Sequence, residues 1–325
     1  MRIVNLSSGG DPFLSSFVIK LWKERWYDEV DRFIVNFNNN ANVPQEVVSD
    51  FLSTVSKEPK IDIIYHPTGC GNGVPIKEGT LISPKDSLIM LLEDDGFWFT
   101  PGLIDTYFKM IENGECDAIG SPRESCGKEV SEALRIKYNL DYSGVGDQGG
   151  NYWPNFFFTK REDLLKTDLN FASKHFPKGE YFKELDHTFV EDNYGDTFVW
   201  ADIQMRYNGV RFFDIPQNHT YPEDFLQNEK MYLWESYPKY IHGGSLSSGW
   251  GGYLNKKLPP VDTDMTKKDI ETRVAWWMIC SNETEGYEDF KKEYKKGIQN
   301  LIEGCALNME RIMKKYNGYR KIMGI

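Results

Sequence analysis

Between Arg2 and Ile215 the chain alternates short β-branched or apolar runs with stretches of helical period, and no other feature narrows the fold as far. Arg2–Leu6 reads as a buried strand entering the loop Ser7–Gly10. Asp11 before Pro12 is a helix start, and Phe13, Phe17 and Leu21 recur at helical spacing to about Trp26. Further strands are expected at Arg32–Phe37, Ile61–Tyr65, Ser87–Leu92, Asp117–Gly120, Asn151–Phe158 and Val210–Ile215. Helices are expected over about Pro44–Ser56, Pro101–Glu112, Lys160–Leu165 and Thr197–Tyr207, the last closed by Asn208 and Gly209. His66–Gly79, rich in Gly and Pro, must contain turns. Strands and helices in this order predict an α/β fold with a mainly parallel central sheet covered on both faces.

The alternation stops beyond about Asp224. Gly243–Gly252 is a Gly/Ser-rich loop around Trp250, while Thr266–Cys280 and about Tyr287–Lys315 read as helices, the second with one apolar stripe. The 325 residues suffice for about two domains. The expected division is a catalytic domain over 1–222 and a mainly helical extension over 223–325.

Lys and Arg number 38 against 49 Asp and Glu, a net charge of −11. Such a surface repels phosphate backbones, so nucleic acid is not expected as a general partner. No apolar run reaches the about 18 residues of a membrane span, and the first residues lack a secretory pattern. A cytoplasmic protein is therefore expected. Cys70, Cys116, Cys126, Cys280 and Cys305 are scattered without a CxxC pair, which suits reduced thiols.

The chemistry concentrates where the most hydrophobic strand candidate, SLIMLL, runs into Glu93, Asp94 and Asp95. Adjacent carboxylates raise one another's pKa unless a cation neutralises them. A hard divalent ion, Mg²⁺ or Mn²⁺, is the natural counter-charge, and it completes its shell with water and substrate phosphates. The competing reading is a solvated acidic turn opening the next helix.

The run LLEDDGFWFTPGLIDTYFKMIE resembles the glycosyltransferases of the GT-A fold, whose metal motif is Asp-x-Asp or Glu-Asp-Asp at a strand end, and within them the inverting N-acetylglucosaminyltransferases. The resemblance implies that Asp95 ligates the metal while Glu93 and Asp94 face the ribose and the donor sugar. It also gives Asn72 and Gly73, in the turn before this strand, a place at the nucleotide. Asp202, Arg206 and Gly209 match the family's acidic helix, but the preceding Glu-Asp pair falls at Val199 and Trp200. Asp196 is then the best candidate for the base that deprotonates the acceptor, with Glu191, Asp192 and Asp202 as alternatives. Asp196 is equally a candidate helix N-cap.

His219, after the last strand, is the histidine that the resemblance would add to the metal site, with His242 as its competitor. Arg123 is a candidate partner of the diphosphate. Tyr152, Trp153, Trp250 and Phe97 are candidates to stack on a sugar or base. The implied activity is metal-dependent transfer of a sugar from a nucleotide-sugar donor to an acceptor hydroxyl with inversion. The alternatives are a nucleotidyltransferase, although Ser7–Asp11 holds glycines and no Lys or Arg, and a noncatalytic carbohydrate-binding protein of the same fold. A glycan, a lipid, a protein side chain and a hydroxylated DNA base all remain as acceptor classes.

Overall fold

The β-branched and aromatic runs assemble into one seven-stranded sheet in a computed structural model that describes residues 1–10, 12–39, 45–94, 96–98, 102–120, 122–123, 125–140, 151–215, 236–237 and 240–242. Its strands are β1 (Arg2–Ser8), β2 (Arg32–Asn38), β3 (Ile61–His66), β4 (Leu88–Glu93), β5 (Ala118–Gly120), β6 (Phe157–Lys160) and β7 (Phe212–Asp214). Their spatial order is β3-β2-β1-β4-β6-β5-β7. All neighbours are parallel except β6, which runs antiparallel to both β4 and β5. The chain moves outward from β1 to β2 and β3, then returns to lay β4 on the other side of β1. The gap between the carboxyl ends of β1 and β4 is therefore a topological switch point, where open α/β sheets bind their ligands.

The helices are α1 (Pro12–Arg25), α2 (Gln45–Val55), α3 (Gly73–Ile82), α4 (Leu103–Glu112), α5 (Lys128–Tyr138), α6 (Arg161–Leu164) and α7 (Val199–Tyr207). Alternation along the strands sends Val4, Leu6, Phe33, Val35, Met90 and Leu92 to one face, where they pack with Trp22, Phe51 and Phe108 of α1, α2 and α4. Ile89, Leu91, Ala118 and Phe157 pack on the other with Ile76 of α3 and Ala201 and Met205 of α7. The opposite side of α7 offers Val199, Trp200 and Ile203 to a third cluster, built with α5 and Phe176, Phe182 and Phe189. The central sheet is thus covered on both faces, as an α/β sequence pattern demands. Among the described residues no helix is long and apolar enough to cross a membrane.

One segment holds more than the turns expected of it, and one expected strand needs correction. The turn-like segment up to Gly79 contains the first part of α3. Pro75 is tolerated there because first-turn amides lack intrahelical acceptors anyway. Gly79 marks a close approach, since a Cβ would stand 2.2 Å from the Asn5 side chain. The expected strand Asn151–Phe158 is interrupted, with a short strand at Asn151–Tyr152 that pairs with Pro122–Arg123 and a turn before β6 that holds Phe156 at φ 55°. Beyond residue 222 the structure adds a small antiparallel sheet in which Tyr240–His242 pairs with both Ser236–Tyr237 and Gly96–Trp98.

Candidate functional site

At the switch point, Ser7 of β1 lies in register with Glu93 of β4. One step further, the two strand ends are bolted together by Asp94. Its Oδ2 accepts the Ser8 hydroxyl at 3.0 Å and the Gly9 amide at 2.9 Å, and the residue is 1% exposed. Ser8 Oγ also meets Ser15 Oγ of α1 at 2.6 Å and accepts the Gly10 amide at 3.2 Å. The loop after β1 is therefore tied both to the acid end of β4 and to the first turn of the following helix.

Glu93 is held from the other side. Its Oε2 accepts the Trp153 indole N–H at 2.9 Å, and its amide donates to Asn155 Oδ1 at 3.1 Å. The same segment, 151–155, continues across the carboxyl edge of the sheet. Buried Asn151 accepts the Ser125 amide at 3.2 Å and donates to the Ser125 hydroxyl at 2.6 Å. The Ser125 carbonyl then accepts the Asp196 amide at 2.9 Å. A continuous strap of hydrogen bonds thus joins the acids of β4 to the loop that carries Asp196.

Asp196 itself is exposed, and its Oδ1 accepts the Thr197 amide at 2.7 Å. It is not the cap of α7: Phe198 occupies the N-cap position, at φ 75° and without a side-chain cap bond. Glu191 is also exposed, in the turn before the short strand Asn193–Gly195. Asp202 is elsewhere. It is fully buried and pairs with Arg206 at 3.2 Å. Burial pushes its carboxyl up to about 6 against the pull of Arg206. The Arg206 guanidinium lies over the Phe212 and Tyr152 rings. Tyr152, expected as a stacking candidate, is buried on Phe212 and donates its hydroxyl to Asp214.

On the far side of β1 the carboxyl ends of β2 and β3 form a second polar group that sequence reasoning passed over. Asn36 and His66 both reach Glu78 Oε2, at 3.1 and 2.8 Å. Cys70 Sγ meets Asn38 Oδ1 at 2.6 Å, and burial with the nearby Glu78 pushes its thiol up to about 11. Cys70, Cys116 and Cys126 are all free thiols, as expected. Asn72 is exposed at the start of α3 and Gly73 is buried, where a Cβ would stand 2.4 Å from the Ala172 amide nitrogen. Gly73 therefore seats the chain after β6 against α3.

Asp95, His219 and Trp250 lie outside the described residues, as do the side chains of Arg123 and Phe97 and the expected C-terminal helices. Backbone pairing does place residue 242 opposite Gly96, one step past Asp95. Among the described residues no three His, Cys, Asp or Glu side chains come together as a metal-binding group. The residues that sequence reasoning missed, Ser8, Gly9, Asn151 and Asn155, carry no charge and gain their meaning only from partners distant in sequence.

No protein-family model and no curated protein matches the chain. Among solved structures it is similar to HddC from Yersinia pseudotuberculosis, at 16% identity over 50% of this chain and 77% of that one, with a TM-score of 0.31. It is similar to S. aureus TarS 1–349 in complex with UDP at 10% identity over 99% and 90%, with a TM-score of 0.39. A UDP-glucose pyrophosphorylase complexed with UDP-glucose gives 10% identity over 66% and 89%, with a TM-score of 0.32. At these values no residue role is carried across to this chain.

Proposed function

We propose that the chain transfers a sugar from a nucleotide-sugar donor to an acceptor hydroxyl, with inversion and with a divalent cation, Mn²⁺ or Mg²⁺. The observation behind the reading is the bolted switch point: Ser8 and Gly9 on Asp94, Glu93 beside it, and the strap from Glu93 to the loop of Asp196. Ligands of open α/β sheets lie in such a crevice.

The acid run at the end of β4 offers the kind of oxygen ligand that a hard cation takes. Glu93 and Asp94 each turn an oxygen to a protein donor. The metal goes to Asp95, as the resemblance implies, with His219 or His242 as a nitrogen ligand. When bound, the cation supplies positive charge to the leaving diphosphate. Asp94 keeps the loop after β1 in place, Glu93 and the Trp153 edge border the sugar, and Asp196 accepts the proton of the incoming hydroxyl. The nucleotidyltransferase alternative draws less support, because the Gly9 and Gly10 amides that would cradle a phosphate already donate to Asp94 and Ser8.

A screen of nucleotide sugars with Mn²⁺ tests the reading, scored by release of nucleoside diphosphate. Pyrophosphate release from a nucleoside triphosphate and a sugar phosphate would establish the nucleotidyltransferase instead. Asp95→Ala should abolish metal-dependent donor turnover with little loss of fold stability, and wild-type release rates in that variant would sink the assignment.

A further inference from the structure

Tyr194 and His175 stand opposite each other on the short antiparallel strands Asn193–Gly195 and Lys174–Phe176. Their rings stack with centroids 4.6 Å apart at 17°. Tyr194 is nevertheless 62% exposed, so most of the ring is open to solvent. His175 is fixed from its edge, with Nε2 3.3 Å from Asp192 Oδ1, and that oxygen is itself anchored by the Lys178 amide at 3.0 Å. These bonds also hold the Asp192 carboxyl below its ordinary range, so it is charged at neutral pH.

The pair lies next to the proposed base. Gly195 turns inward, where a Cβ would meet Val199 and Phe176, and its two neighbours Tyr194 and Asp196 are both exposed. Residues two apart on a strand share a face at a spacing of about 7 Å. The exposed Tyr194 ring and the Asp196 carboxylate, one residue past the strand, flank the inward Gly195, and Asp192 stands beside His175, so the three form one surface. The ring offers an apolar plane to the C–H face of a pyranose. The carboxylates accept hydrogen bonds from hydroxyls and repel anions.

We propose that the Tyr194–His175 stack is the acceptor platform and that the acceptor is an uncharged carbohydrate rather than a nucleic acid or an anionic glycan. This rests on the transfer reaction proposed above, with Asp196 as base. Asp192 and Asp196 hydrogen-bond a neutral sugar and repel a phosphodiester, with Lys178 as the cation beside Asp192, so ring and acids select the same class.

The test uses the full chain with maltose, cellobiose and lactose as probes, and binding is followed by saturation-transfer NMR and titration. A ten-nucleotide single-stranded DNA serves as the anionic probe, and UDP, GDP and dTDP with Mn²⁺ report on the donor side. We expect at least one disaccharide to bind the wild type, Tyr194→Ala to weaken it about tenfold, and Tyr194→Phe to restore it. His175→Ala should weaken it less. Nucleoside diphosphate binding and the thermal midpoint of Tyr194→Ala should match the wild type, because the ring is exposed. The platform is overturned if no disaccharide binds the wild type, if Tyr194→Ala binds as well as wild type, or if the DNA binds in a Tyr194-dependent way. Should no diphosphate bind while disaccharide binding still depends on Tyr194, the transfer reaction fails and the carbohydrate site stands.

Discussion

The two halves of the central sheet are held by different means. β1, β2, β3 and β4 have seven, seven, six and six residues, and each pairs with its neighbours along nearly its whole length. β5, β6 and β7 have only three, four and three. Side chains supply what those short ladders lack. Asp117 joins Lys160 at 2.6 Å to Arg211 at 2.8 Å, Tyr152 stacks on Phe212, and Asp202 pairs with Arg206 beneath them. The first half is thus a backbone framework, whereas the second depends on individual contacts, so single substitutions should separate the two.

The sharpest break is expected at Asp202. Replacing it by Ala leaves the Arg206 charge buried without this partner, which should cost about 3–5 kcal/mol in urea unfolding. Its pH dependence gives an independent reading. Asp202 has a folded value raised from 3.8 to about 6, so across that window the folded state binds more protons than the unfolded one. Stability from this group is therefore largest at the acid end, falls as pH rises through the window and is flat above it. Asp202→Asn should remove that slope, and an unchanged difference between wild type and variant at the two ends of the window would refute the assignment.

Next comes Asp196→Asn, which should lower turnover by roughly a hundredfold while donor affinity and unfolding stay at wild-type values. A variant that remains active would move the base to Glu191 or Asp192. A third substitution probes the other half. Asp94→Ala removes the acceptor of the Gly9 amide and leaves the Ser8 hydroxyl only Ser15 to turn to, and about 2 kcal/mol of stability should be lost, together with donor binding measured by calorimetry. If the long ladders do carry this half, hydrogen exchange in β1 and β4 beyond the strand ends should scarcely change. The smallest effect, about 1 kcal/mol in donor binding, is expected from Trp153→Phe, which keeps an aromatic ring and deletes the donor to Glu93.

The same contrast explains what could be read from the sequence. Long strands announce themselves through runs such as RFIVNF and SLIMLL, and each expected strand of the first half recurs within two residues of its observed bounds. The acids of β4 were legible for the same reason, because their place follows from the strand before them. Asp202 was not: in VWADIQMRY an acid flanked by Ala201 and Ile203 does not disclose which side of the helix is covered twice, by the sheet and by the third cluster. Nor could the bolt be foreseen, since Ser8 and Asp94 are 86 residues apart. α3 escaped because Gly73, Pro75 and Gly79 lower helix propensity while serving close packing that only the assembled sheet imposes. The strap was hidden within an apparently continuous strand, Asn151–Phe158, whose interruption depends on a left-handed Phe156.

The reversed direction of β6 has a consequence for biogenesis. β4 finds its first partner in β1, already synthesised, but the place on its other side stays open until residues 157–160 emerge. β5 must wait for that same strand before it joins the sheet, and β7 can then pair only with β5. A nascent chain would therefore present four paired strands with an uncovered edge for the time it takes to add some seventy residues, about 4–14 s at ordinary elongation rates. Exposed edges recruit other strands. Slowing translation between β4 and β6 should accordingly lower the soluble yield of this protein more than an equal delay placed after β6.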